Sequence, residues 1–203
     1  LATSFTDHPE HVIENKKGKP VRVLSAAAIY GPNGAGKSNL IKAVAFAVNL
    51  ITNGPQKKGE PIPVRPFMFR DDKIPKPTRF EFVFKLEDRI YTYGFSCDRK
   101  SVREEWLYYT PKKNQVKIFE RKTEEDGTVL VEPGPSFKKQ IGKEESQRID
   151  FIAKGMSGNK LFLSEASERN IEEIEKVYDW FESSLAVIEP DRMAINLETR
   201  MYD

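Results

Sequence analysis

The sequence predicts an α/β fold, and three stretches of it carry that prediction. Residues 21–30, Val-Arg-Val-Leu-Ser-Ala-Ala-Ala-Ile-Tyr, are mostly apolar with β-branched members, as expected of a buried strand. A glycine-rich turn at 31–38 follows, and then a stretch free of Pro and Gly from Asn39 to Ile51, apolar almost all round. That stretch reads as a helix buried on most sides. Farther on, residues 79–121 contain four strand-like segments with turns between them, an antiparallel meander.

The turn, Gly31-Pro32-Asn33-Gly34-Ala35-Gly36-Lys37-Ser38, fits the Walker A pattern G-x-x-x-x-G-K-[ST]. Its chemistry is that of a polyphosphate cradle. Glycines tolerate φ > 0 and carry no Cβ, so successive backbone N–H groups of Gly34, Ala35, Gly36 and Lys37 can turn inward around a phosphate. The Lys37 ammonium is placed to reach the β- and γ-phosphates, and the Ser38 hydroxyl to ligate Mg²⁺. The helix that continues through Asn39 adds its N-terminal dipole and free N–H groups. Strand, turn and helix are the context the motif needs, so the expected nucleotide site is Gly31, Pro32, Asn33, Gly34, Ala35, Gly36, Lys37, Ser38 and Asn39. A nucleotide and Mg²⁺ are the expected cofactors.

The remaining elements follow in order. Residues 1–20 are polar, and Lys16-Lys17-Gly18-Lys19-Pro20 reads as a flexible basic turn. His8 and His11 have no Cys partner and sit in this polar stretch, so they read as surface residues rather than metal ligands. Asn53–Pro66 is a loop rich in Gly, Pro and Lys. The strand segments are 79–85, 90–97, 102–109 and 115–121. Their aromatics (Phe80, Phe82, Phe84, Tyr91, Tyr93, Phe95 and others) recur at period 2, which favours one packed face, with Tyr hydroxyls at its rim, over a stacking platform for bases. After Asp126-Gly127 and Glu132-Pro133-Gly134-Pro135 the pattern becomes helical. Leu161–Ala166 and Ile171–Phe181 read as helices, the second with an apolar stripe of Ile171, Ile174, Val177, Tyr178 and Phe181. Three units are expected: 1–55, a strand-turn-helix core; 56–132, the meander of the same lobe; and 133–203, a helical segment leading to a further lobe.

Composition narrows the class. The 203 residues carry 33 Lys+Arg against 31 Asp+Glu, and a net charge of +2 is too small to argue for nucleic acid by itself. No run approaches the roughly 20 apolar residues of a spanning helix. The single Cys97 rules out an internal disulfide framework and fits a reducing compartment. A cytoplasmic location with no membrane partner is the expectation. The opening Leu1-Ala2-Thr3-Ser4-Phe5 and the closing Met201-Tyr202-Asp203 lead us to expect further residues at both ends.

Gly-Pro-Asn-Gly-Ala-Gly-Lys-Ser-Asn-Leu is similar to the Walker A of ABC-class ATPases, and Ser38-Asn39-Leu40-Ile41-Lys42-Ala43 resembles the helix start of the SMC/RecF/OLD-like branch. Residues 27–31, Pro66-Phe67-Met68-Phe69, 77–84, 91–95 and 105–109 resemble AAA-family ATP-binding proteins of the abortive-infection, RloA-like group, related to OLD and PtuA. The resemblance implies an ABC-type ATPase head with a meander subdomain and a helical C-terminal segment, incomplete within these residues. It implies ATP as the nucleotide, and ATP-dependent head-to-tail dimerisation that controls a nuclease or toxin effector in antiphage defence. Such families also carry a Ser-Gly signature, a Walker B strand ending Asp-Glu and a switch His. Met156-Ser157-Gly158-Asn159 and Leu185–Glu189 do not qualify, since Pro190 follows Glu189 and no Asp precedes it. Gln56 reads as solvated rather than as a Q-loop residue, and no catalytic residue is assigned. The alternative is a nucleotide-gated DNA-binding or repair module without its own hydrolysis. It would bind nucleic acid or a protein through Lys112, Lys113, Lys117 and Lys122, although solvated loops account for those lysines more simply. A transporter ATPase fits less well, given the long aromatic meander.

Overall fold

The computed structural model describes residues 8–15, 21–65, 76–111 and 114–188. Val12–Asn15 (β1) and Val21–Leu24 (β2) pair antiparallel, with Val12 opposite Leu24. A 3₁₀ turn, Pro9–His11, leads into β1. The strand expected over 21–30 therefore ends at Leu24. Beyond it, residues 26–30 have no strand partner among the described residues and are exposed, Ile29 by 62% and Tyr30 by 91%. An apolar run becomes a buried strand only where a neighbour takes up its backbone groups, and β1 reaches no farther than Leu24.

Lys37–Thr52 (α1) is the helix expected after the turn. Its burial is one-ended. Ala47, Leu50 and Ile51 lie in the core, whereas Leu40 and Ile41 are 49% and 42% exposed. The expectation of a helix buried on most sides holds only for its last turns.

Five strands form the main sheet: Thr78–Leu86 (β3), Arg89–Cys97 (β4), Val102–Thr110 (β5), Val116–Thr123 (β6) and Val129–Pro133 (β7). They pair antiparallel in chain order. The first four are the predicted meander. The fifth lies where the sequence reads as turn and loop, because Pro133 and Gly134 obscure a short edge strand, a position that tolerates Pro. Register sets Phe80 opposite Phe95, Phe82 opposite Tyr93, Phe84 opposite Tyr91, and Leu107 opposite both Tyr93 and Phe119. One face of the sheet is thus almost continuously aromatic.

Helices cover that face. Pro135–Gly155 (α2), broken at Gly142, packs on β6 and β7. Phe162–Ser167 (α3) and Glu172–Asp179 (α4) follow, and Trp180–Ser184 extends α4 as a π-helical turn. The Phe181 ring meets Phe82 and Tyr93 edge-on at 5.2 and 5.4 Å, and Trp180 stacks on Phe84 at 3.9 Å. Phe84, Tyr93 and Phe181 are buried core, and Phe82 and Trp180 pack against it half-buried, so these rings are not free to stack on bases. The rim expectation fails for Tyr93, whose buried hydroxyl donates to Glu105 Oε1 at 3.0 Å.

Glu105 and Arg121 stand opposite each other in β5 and β6, both fully buried on the aromatic face. Glu105 also accepts from the backbone N–H groups of Phe162 (2.6 Å) and Leu163 (2.9 Å). Arg121 donates to the carbonyls of Val102, Gly158 (3.0 Å) and Lys160 (3.2 Å). Burial pushes the Glu105 carboxyl up despite Arg121, and pushes the Arg121 guanidinium down despite Glu105. Each ion is tolerated because the other and the backbone partners offset its desolvation. The Arg121→Met variant strands a buried carboxylate and is expected to lose about 3–5 kcal/mol in urea unfolding. Lys122→Met, which breaks the exposed pair with Glu124, should lose no more than about 1 kcal/mol.

Candidate functional site

The Gly31–Ser38 loop joins the exposed 25–30 segment to α1. Ala35 N–H donates to Pro32 O at 3.2 Å and closes the loop's tight turn. Asn39 and Leu40 N–H groups then donate to Gly36 O, which starts the helix. Gly34 and Gly36 sit at φ 82° and 88°, in the left-handed region. A Cβ at either position would meet nothing within 4 Å, so the requirement for glycine is one of dihedral angle and not of space.

The polarity of the loop is one-sided. Among the described residues, the N–H groups of Gly34, Gly36, Lys37 and Ser38 donate to no protein acceptor. The first turn of α1 contains no acidic residue, so nothing there repels an anion from the positive end of the helix dipole. Lys37 Nζ folds back onto its own loop, donating to Gly31 O at 2.6 Å and Pro32 O at 2.7 Å. Gly31–Gly36, Ser38 and Asn39 are exposed, while Lys37 is half-buried. The ammonium lies across the loop, and the Ala35 N–H, expected from the sequence to turn toward a phosphate, is instead taken up by Pro32 O within the turn.

Other sequence candidates are structural. Asn159 Nδ2 donates to Lys57 O (2.9 Å) and Glu60 O (3.0 Å), and Gly158 O receives Arg121, so residues 156–161 form a pinned turn before α3. Residues 185–188 form no strand, while 189–203 lie outside the described residues. Gln56 is exposed and donates to Gly54 O at 2.9 Å. Lys117 pairs with Glu120 (2.9 Å) and Glu132 (3.0 Å), and Lys122 with Glu124 (3.1 Å). Lys112 and Lys113 lie outside the described residues. Cys97 is buried, and burial raises its thiol to about 12, far from the range of a nucleophile. Sequence reasoning missed the Glu105–Arg121 pair. Its signal is the phase of β5 and β6, in which both charges fall on the same period-2 positions as Leu107 and Phe119.

An AAA domain family, described as "putative AbiEii toxin, Type IV TA system", matches residues 26–201. The chain belongs to this family. It is accordingly a nucleotide-binding ATPase domain of the abortive-infection group, and its mixed α/β structure with a five-stranded antiparallel sheet fits an α/β nucleoside triphosphatase. AAA domains generally use ATP and Mg²⁺. Nothing among the curated proteins or the solved structures matches the chain. Among the described residues of this AAA-domain chain, no helix is long and apolar enough to cross a membrane.

The loop's geometry yields a test that separates strain from crowding. Gly34→Ala and Gly36→Ala should each cost about 1–2 kcal/mol, although the new methyl touches nothing. Gly155→Ala, at the end of α2 and equally open, should be neutral or stabilising by about 0.4–1 kcal/mol. Chemical denaturation of the three variants reads the difference.

Proposed function

We propose that Gly31–Asn39 is the Walker A site of an ABC-type ATPase head, and that the protein binds ATP·Mg²⁺ there. The unpaired N–H groups of Gly34, Gly36, Lys37 and Ser38, gathered at the N-terminus of α1, carry this reading. Their arrangement fits a phosphate, since each oxygen can accept from more than one donor without displacing a protein bond. Lys37 leaves the Gly31 and Pro32 carbonyls and turns its ammonium to the β/γ-phosphates. The Ser38 hydroxyl, exposed on the first turn of α1, is the protein's ligand for Mg²⁺. The nucleotide supplies the phosphoanhydride bond, and the metal offsets its charge.

Hydrolysis requires a water-positioning group that these residues do not provide. In this reading a second head supplies a signature loop across the nucleotide, and Lys37 and Ser38 complete each composite site. The exposed apolar side chains beside the loop (Ile29, Tyr30, Leu40 and Ile41) support a face that dimerisation covers. The chain then belongs with the RloA-like, OLD/PtuA-related and SMC/RecF-like ATPases, and its nucleotide state controls a nuclease or toxin partner in antiphage defence. The DNA-module alternative loses support from the ion pairing of Lys117 and Lys122.

Calorimetric titration with ATP and Mg²⁺ tests the site. Lys37→Ala removes a charged donor worth about 1.5–3 kcal/mol and should weaken binding by about 10–100-fold. Ser38→Ala should reduce the gain in affinity that Mg²⁺ gives. Equal affinity of wild type and Lys37→Ala would remove the site from this loop.

A further inference from the structure

The sequence contains two histidines, and both lie in the turn that precedes β1. Pro9 presets the backbone for this turn. His11 N–H donates to His8 O at 3.1 Å and closes it. In a 3₁₀ turn the side chains at i and i+3 eclipse, so His8 and His11 come to one side, with ring centroids 5.6 Å apart. Glu10 reaches between them. Its Oε1 is 2.9 Å from His8 Nδ1 and 3.6 Å from His11 Nε2, and one ligand atom from each of the three residues lies within 4.8 Å of the other two.

We propose that His8 Nδ1, Glu10 Oε1 and His11 Nε2 form a binding site for a divalent transition ion of the zinc or cobalt type. Neighbouring donors of a tetrahedral zinc ion with bonds of about 2.0–2.1 Å stand about 3.3–3.4 Å apart. The two distances to Glu10 bracket that spacing, so small side-chain rotations complete the set. Two imidazoles and one carboxylate are borderline ligands suited to zinc and cobalt, and poorly suited to the all-oxygen preference of Mg²⁺. The site is therefore chemically distinct from the nucleotide loop. All three side chains are about 60% exposed, which leaves the fourth position open to water. The sequence offered no Cys partner for these histidines, and the fold supplies a carboxylate in its place.

The position of the site gives it a consequence. His11 O accepts from Ser25 N–H at 2.9 Å and Ser25 Oγ at 3.2 Å. An ion held by His11 thus fixes the turn against the point where the chain leaves β2 for the phosphate loop. Residues 8–11 precede the family-matched stretch 26–201, so the site is a property of this chain's leading segment. Buried Cys97 offers no competing soft ligand.

Titration of the tag-free 203-residue chain with Zn²⁺ alone, and separately with Co²⁺ followed by visible absorption, tests the proposal. One equivalent should bind, and Co²⁺ should give the intense bands of a low-coordinate site. Glu10→Gln should weaken Zn²⁺ by about tenfold or more, and His8→Ala/His11→Ala should abolish stoichiometric binding while circular dichroism stays unchanged. Lys37→Ala should bind Zn²⁺ like wild type, which separates this site from the nucleotide site. Failure of the wild-type chain to bind Zn²⁺, or equal binding by the double histidine variant, would overturn the assignment.

Discussion

One buried carboxylate holds the layers together. Glu105 points from the middle of the sheet into the helical layer, where it accepts the first N–H groups of α3 and faces Arg121 at 3.9 Å. Those N–H groups have no partner within their own helix, and burying them without one would cost about 1–3 kcal/mol apiece. Arg121 in turn fastens the strand start at Val102 and the turn at Gly158–Lys160. From α3 the connection passes to α1, the helix that follows the glycine-rich loop, since Ser164 Oγ donates to Ile51 O at 2.7 Å. Tyr178 on α4 adds a bond to Thr52 O at 3.3 Å. The last turn of α1 is thereby tied to a charged knot in the core.

The opposite end of α1 is left open, and the contrast has functional meaning. A phosphate cradle must keep backbone N–H groups unpaired, which a packed protein ordinarily avoids. Here the glycine-bearing loop stays at the surface, where water can meet those groups, while the far end of its helix is held rigid. Lys37 illustrates the balance. Its ammonium already makes two charge-assisted bonds with loop carbonyls, so under the proposed function ATP would exchange those bonds rather than add new ones. Under the proposed function, the gain comes from bringing a cation and free dipoles to a polyanion.

Much of this was legible in the sequence. The period-2 aromatics of residues 80–95 specify a sheet with one packed face, and the spacing of Ile171, Ile174, Val177 and Phe181 specifies the helical stripe that covers it. The glycine turn before α1 is legible because its geometry is local, with Gly34 and Gly36 at positive φ just ahead of the helix. What was not legible depends on tertiary partners. The run 26–30 looks like a buried strand, yet burial belongs to a neighbour and not to the run itself. Glu105 and Arg121 look like ordinary strand charges until register sets them face to face. Likewise, His8 and His11 gain a shared carboxylate only through the local turn geometry.

Hydrogen exchange, followed residue by residue with and without saturating ATP·Mg²⁺, tests the central claim of an anchored helix presenting an open phosphate loop. The amides of Ala47–Thr52 should be strongly protected in both states. Those of Gly34, Gly36, Lys37 and Ser38 should exchange fast in the free protein and slow markedly with nucleotide. Exchange at these four amides that nucleotide leaves unchanged, or an α1 C-terminus as labile as the loop, would contradict the account.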